Sequence, residues 1–205
     1  MPRQTPIENR NRALIALTAL TAIRVGAQIS LKLKHFDLNR MLVRQIPQEV
    51  ATKFSKRIDT FVRPFSEALA QICLGWGCYL KDVELFAGDD PLFPKPAMGH
   101  HVNNCFAVTD LSREHWAGTA PVRFIMMQAF DDAGIPLLTP HRFRHMLVND
   151  RYERGLNVAE MKALSRNLGH ESAMTTLISY GTIAAEQQGR LIRGIKSNHE
   201  DKPFT

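Results

Sequence analysis

The segment His141-Arg142-Phe143-Arg144-His145 follows Thr139-Pro140 and opens a helix. His141 and Arg144 lie three apart and so share one helical face. The first turn of a helix leaves backbone N–H groups unpaired and carries the positive end of the helix dipole. A guanidinium and an imidazole at that end suit a phosphate. Further on stand Leu168-Gly169-His170 and, ten residues later, Tyr180, with Thr175, Thr176 and Gly181 nearby. A phenol is an oxygen nucleophile once it loses a proton whose ordinary pKa is about 10. Each feature alone has a simpler explanation: a solvated basic helix start, a surface or capping His, a Tyr packed by its apolar ring. Their order and close spacing together carry the weight.

The elements that must position these residues are strongly marked in the second half of the chain. Pro121 fits the first position of a helix ending before Gly134. Residues 142–154 form a second helix, closed by Gly155. Asn157 caps a third, with Glu160 as its capping-box partner and Gly169 as its stop. Ser172 can cap a fourth, ending near Tyr180. In the first half, residues 10–23 read as a largely apolar helix and residues 27–34 as a second short one. Residues 41–46, 49–54 and 57–62 are short β-branched or alternating runs separated by Pro47 and Ser55-Lys56. They predict a small three-stranded antiparallel sheet. Pro64 ends it, and Ser66 caps a helix over 67–74. Residues 75–110, with Gly75, Gly77, Gly88, Gly99, Pro91, Pro94 and Pro96, read as loops. His100 and His101 fall there and, without further spaced ligands, read as solvated loop.

Composition narrows the function classes. A chain of 205 residues with 44% hydrophobic residues supports a packed core and argues against disorder. Twenty-six Lys plus Arg against 20 Asp plus Glu give a formal charge of +6, which admits an anionic partner, nucleic acid above all. There is no G-x-x-x-x-G-K-[ST] stretch for a nucleotide and no acidic cluster for a two-metal nuclease. Cys73, Cys78 and Cys105 lack the spacing of a zinc site and read as reduced core filler. The apolar run around residues 13–23 is too short for a membrane span, and the first residues lack a signal-peptide core. The expectation is a cytoplasmic protein needing neither metal nor cofactor.

H-x-x-R-H, then L-G-H, then T-T-x-x-x-Y, in this order, resembles the tyrosine site-specific recombinases of the phage integrase type. The resemblance covers residues 10–183. Leu20-Thr21-Ala22-Ile23-Arg24-Val25-Gly26 resembles that family's first box, and residues 31–38 resemble the stretch leading into its sheet. Thr52-Lys53-Phe54-Ser55-Lys56 resembles the hairpin holding its lysine; Lys53 aligns with that lysine and Lys56 is the alternative. The resemblance implies an α+β, mainly helical catalytic domain with a small three-stranded antiparallel sheet. It implies an active site of Arg24, Lys53, His141, Arg144, His170 and Tyr180, with double-stranded DNA as partner and a homo-oligomer, a tetramer, assembled on it.

By that resemblance Tyr180 attacks a DNA phosphodiester while Arg24 and Arg144 grip the non-bridging oxygens and His170 adds a hydrogen bond. His141 serves as general base and Lys53 as general acid. Residues 1–183 form the catalytic domain and residues 184–205 a tail that contacts a neighbouring protomer, folds back or stays disordered after Lys196, with Leu191, Ile192 and Ile195 continuing roughly helical spacing from Ile183. The family's N-terminal core-binding domain is absent from this sequence. One departure stands out: three residues after Arg24, where the family places an acid, stands Ala27, followed by Gln28, which could replace it in part. That departure keeps open a catalytically impaired DNA-binding domain. A type IB topoisomerase-like activity is the other alternative.

Overall fold

The computed structural model describes residues 4–62, 66–100, 106–153, 155–170 and 185–194. Helix α1, Pro6–Thr21, begins in a capping box: Thr5 Oγ1 accepts from Glu8 N at 3.2 Å and Glu8 Oε2 accepts from Thr5 N at 3.0 Å. Its buried face, including Leu14, Leu17 and Leu20, packs against α3, Glu67–Asp82. Thr18 and Thr21 sit in this apolar helix with their hydroxyls satisfied, donating to the carbonyls of Leu14 and Leu17. The helix ends at Ala22, which adopts a left-handed conformation at φ 50°.

Helix α2, Val25–Ser30, follows at once. The sheet is antiparallel in the order β1 (Phe36–Asp37), β2 (Leu42–Gln45), β3 (Ile58–Phe61), with Val43 opposite both Phe36 and Thr60. A three-stranded sheet is present, with Phe36–Asp37 supplying the third strand, but the expected strand over 49–54 is not in it. That segment folds as turns and a short 3-10 piece, Lys53–Ser55. Glu49 explains the difference: its carboxylate bonds Lys34 Nζ at 2.6 Å and His35 Nε2 at 2.7 Å, which anchors the segment beside β1 rather than in the ladder. These contacts hold the Glu49 carboxyl well down, at about 2.

Two further expectations are corrected. Helix α3 runs through Gly75 and Gly77 instead of stopping near residue 74. A Cβ at Gly77 would stand 2.6 Å from Leu38 Cδ2, so this glycine lets α3 approach the segment after β1 and does not break the helix. The stretch read as loop also holds a hairpin, β4 (Pro96–His100) with β5 (Phe106–Leu111). Met98 and Val108 are exposed on it, so no alternating pattern announces the strands.

The second half follows its signals closely. Helix α4 is Ala120–Asp132, α5 is Pro140–Glu153 and α6 is Val158–Asn167. The capping box of Asn157 and Glu160 forms in both directions at 2.9 Å. The expected helix ending at Tyr180 lies outside the described residues. Helix α7, Ala185–Gly194, occupies the tail. The main core lies between α1, α3 and the sheet; a smaller one joins Ala22, Leu147, Val148, Leu164 and Leu168. No described helix is long and apolar enough to cross a membrane.

Candidate active site

Four separate segments deliver five basic side chains. Arg24 is the residue before α2, and its side chain does not cap that helix. Lys53 lies in the excursion between β2 and β3. His141 and Arg144 occupy the first turns of α5, as their spacing requires. His170 follows Gly169 at the end of α6. All five line one open cleft of about 1080 Å³. The sixth predicted residue, Tyr180, lies outside the described residues.

Arg144 is the keystone of this arrangement. It is 5% exposed, deep for a guanidinium. Its Nη1 donates to the Ala22 carbonyl at 2.9 Å, and its Nη2 donates to the Leu168 carbonyl. Ala22 and Leu168 each stand two residues before another basic residue of the cleft, Arg24 and His170 respectively. One side chain therefore fixes the distance between the segments that carry Arg24 and His170. Each Nη has a second hydrogen, and Arg144 also faces the cleft, so the clamp leaves it able to meet an anion.

The turn that places His170 is built from two further contacts. Gly169, at φ 73°, reverses the chain after α6. Asn167 docks the helix end onto the sheet edge: its Oδ1 accepts from Phe61 N at 2.7 Å and its Nδ2 donates to the Phe61 carbonyl at 3.1 Å. The Thr60 hydroxyl adds a bond to the Asn167 carbonyl at 3.0 Å. Asn167 thus stands in for a neighbouring strand on β3. Nothing in the sequence around it distinguishes this Asn from an ordinary helix-end residue.

Burial, followed by the charges of Arg144, Arg24 and Lys53, pushes the His170 imidazole down to about 4. It is therefore neutral near pH 7 and offers one N–H as a donor. In the unfolded chain it would titrate near about 6.5. The free protein should lose stability as pH falls from that value through 4, because only the unfolded state takes up the proton. An anion in the cleft offsets the cations and raises the His170 pKa, so binding takes up a proton. Affinity for duplex DNA should rise as pH is lowered from 8 toward 5 (about those limits), and His170→Gln should flatten that rise. Equal slopes for the two proteins in fluorescence anisotropy would refute this coupling.

His141 is exposed and meets His145 one turn on, Nε2 to Nε2 at 3.0 Å, with the rings edge to face. Burial and then His141 push the His145 pKa down. Lys53 and Lys56 both line the cleft and flank the ring of Phe54, their Nζ atoms 4.9 and 5.3 Å from its centroid. Geometry thus places both candidate lysines at the site.

Gln28 does not take the place of an acid. It is fully buried, donates to the Leu14 carbonyl at 2.8 Å and accepts from Thr18 Oγ1 at 3.1 Å. It fastens α2 to α1 and is not among the residues lining the cleft. Ala27 is in the apolar core. Sequence reasoning passed over Arg123, which lines the cleft from α4, and Phe54. Among the described residues no three His, Cys, Asp or Glu side chains are grouped as a metal site requires.

A helical domain with a small antiparallel sheet, gathering seven basic side chains around an open cleft, defines a class of protein shaped to hold an anion. The chain belongs to the phage integrase family, whose profile matches residues 1–187. No curated protein matches it. Among solved structures it is similar to the XerA recombinase, with TM-score 0.60 and 21% identity over 94% of this chain and 65% of that one. It is similar to the XerH site-specific recombinase bound to its difH substrate before cleavage, with TM-score 0.57, 19% identity, and coverage of 94% and 48%. A Tn1549 transposon integrase in complex with transposon right end DNA gives TM-score 0.51, 18% identity, and coverage of 89% and 57%. At these identities the likeness establishes the fold. The chain spans about two thirds of the XerA chain and about half of the XerH chain.

Proposed function

We propose that this chain is the catalytic part of a site-specific DNA recombinase that breaks and rejoins strands through Tyr180. The observation that carries the reading is the convergence of Arg24, Lys53, His141, Arg144 and His170, far apart in sequence, on one cleft. Family membership supports it, as do the DNA complexes of the XerH and Tn1549 proteins.

In this reading the Tyr180 oxygen attacks the scissile phosphorus and its proton passes to His141. Arg24, Arg144 and the neutral His170 donate hydrogen bonds to the non-bridging oxygens, where negative charge grows in the transition state. The bond from phosphorus to the 5′ oxygen breaks, and Lys53 gives that oxygen its proton. The product is a 3′-phosphotyrosyl bond and a free 5′-hydroxyl. Attack by another 5′-hydroxyl reverses the steps and restores a phosphodiester, so the bond energy is kept and no nucleotide is consumed. Residues 1–183 form the catalytic unit, residues 184–205 a segment that reaches a neighbouring protomer, and the protein works as a tetramer on double-stranded DNA in the cytoplasm.

A pool of nicked duplexes of randomised sequence tests this, since a short leaving strand diffuses away and traps the covalent state. The chain should give a denaturant-resistant DNA adduct on a gel, and Tyr180→Phe should bind DNA but give none. An adduct that persists in Tyr180→Phe contradicts the assignment. The position of Ala27 favours a second reading, a domain that binds DNA without cutting it; wild-type binding with no adduct would select that one. Relaxation of a supercoiled plasmid of arbitrary sequence would instead select a topoisomerase-like activity.

A further inference from the structure

Among the described residues Phe54 belongs to neither apolar core. Its side chain is 74% exposed, so it contributes almost nothing to either core. Its backbone is left-handed, φ 63° and ψ 25°, and Ser55 after it has φ 50°. Asn or Gly adopts that conformation with less strain than a bulky aromatic does. Strain of this kind persists at ligand-contacting positions. The segment thus holds an apolar ring beside Lys53 and Lys56 in a cleft lined by the basic side chains Arg24, Arg144 and His170 and by the apolar side chains Phe124, Met127 and Leu137. Cations that draw in a phosphate backbone, interleaved with an exposed aromatic, are the pairing used to hold unpaired nucleotides.

We infer that Phe54 is a nucleobase-contacting residue whose ring stacks on an unpaired base beside the broken phosphodiester. The inference rests on the recombinase reading, because strand exchange itself creates such bases. A broken strand that joins a new partner must leave its old complement, and the bases next to the break lose their pairing as it does so.

The lysines beside the ring are compatible with this role. A cation over an exposed ring is worth about two- to fivefold in an equilibrium constant. Stacking of a base on an aromatic side chain is worth about five- to 150-fold. A base therefore displaces a lysine from the ring, and the displaced ammonium remains close to the phosphate that carries the base.

The test compares a fully paired duplex with the same duplex carrying an unpaired bubble, using the whole chain. Wild type should prefer the bubble. Phe54→Ala should lose about five- to 150-fold on the bubble and little on the paired duplex. Phe54→Trp should keep the preference, and its added indole should be quenched by the bubble. The inference is overturned if Phe54→Ala leaves bubble binding intact, or weakens both duplexes equally, as a mere prop for Lys53 would. Tyr180-dependent adduct formation, run on the same preparations, separates the two ideas. An adduct with no Phe54 effect removes the stacking role alone. A Phe54-dependent bubble preference without any adduct leaves the contact with unpaired bases standing and removes the recombinase reading, and with it the placement of that contact beside a broken phosphodiester.

Discussion

Arg144→Ala should abolish strand cleavage and lower stability by about 3–5 kcal/mol, the largest combined effect of any single substitution in the cleft. Two buried carbonyls, those of Ala22 and Leu168, lose a charged donor at once. A buried acceptor left unsatisfied costs about 1–3 kcal/mol, and the cavity left by a guanidinium adds to it. The segments carrying Arg24 and His170 also lose the tie that sets their separation. Removing one preorganised donor to a growing oxyanion slows a reaction by about 10²- to 10³-fold, and here the loss of one donor displaces two others. Arg144→Lys is the informative companion. It retains the charge, but a single ammonium cannot span two carbonyls and a phosphate as a planar fork does. It should therefore keep most of the DNA affinity while losing cleavage by at least about 10²-fold. Thermal unfolding, duplex binding and adduct formation, measured side by side, separate these effects. Cleavage by Arg144→Lys at the wild-type rate would mean that the clamp has no part in the chemistry.

Gly169→Ala should be the most damaging methyl addition in the described residues. At φ 73° an L-residue is strained by about 1–2 kcal/mol. The new Cβ would also stand 2.4 Å from Ile58 Cδ1, and overpacking of this kind costs about 1–3 kcal/mol. The sum, roughly 2–5 kcal/mol, corresponds to a fall in Tm of about 4–20 °C for a chain of this size. Because His170 is the next residue, cleavage should fall as well. Ile58→Val removes the very atom that collides, so the double variant should be more stable than the two single changes added together. Strict additivity would show that the strain lies in the backbone alone.

These two residues also show what was legible in the sequence. Gly169 announces itself as a helix stop, and Pro140 as a helix start, because such signals act within a few residues. The helix ends that carry His141, Arg144 and His170 are legible for that reason. Signals that depend on distant partners were hidden. Gly77 reads as a helix breaker until Leu38 is seen against it. Gln28 reads as a free polar side chain until it meets Leu14 and Thr18 on another helix. Asn167 acquires its role only where β3 passes. The segment around Lys53 reads as a strand because its residues suit one. Glu49 anchors it elsewhere, and with that change both Lys53 and Lys56 reach the cleft.

The residue to which DNA becomes attached identifies the nucleophile. The adduct formed on nicked duplexes can be digested with nuclease and protease and its modified peptide sequenced by mass spectrometry. A nucleotide remnant joined through its 3′ phosphate to Tyr180 is the predicted result. A remnant on any other residue, or none from wild-type protein that binds the same duplexes, would contradict it.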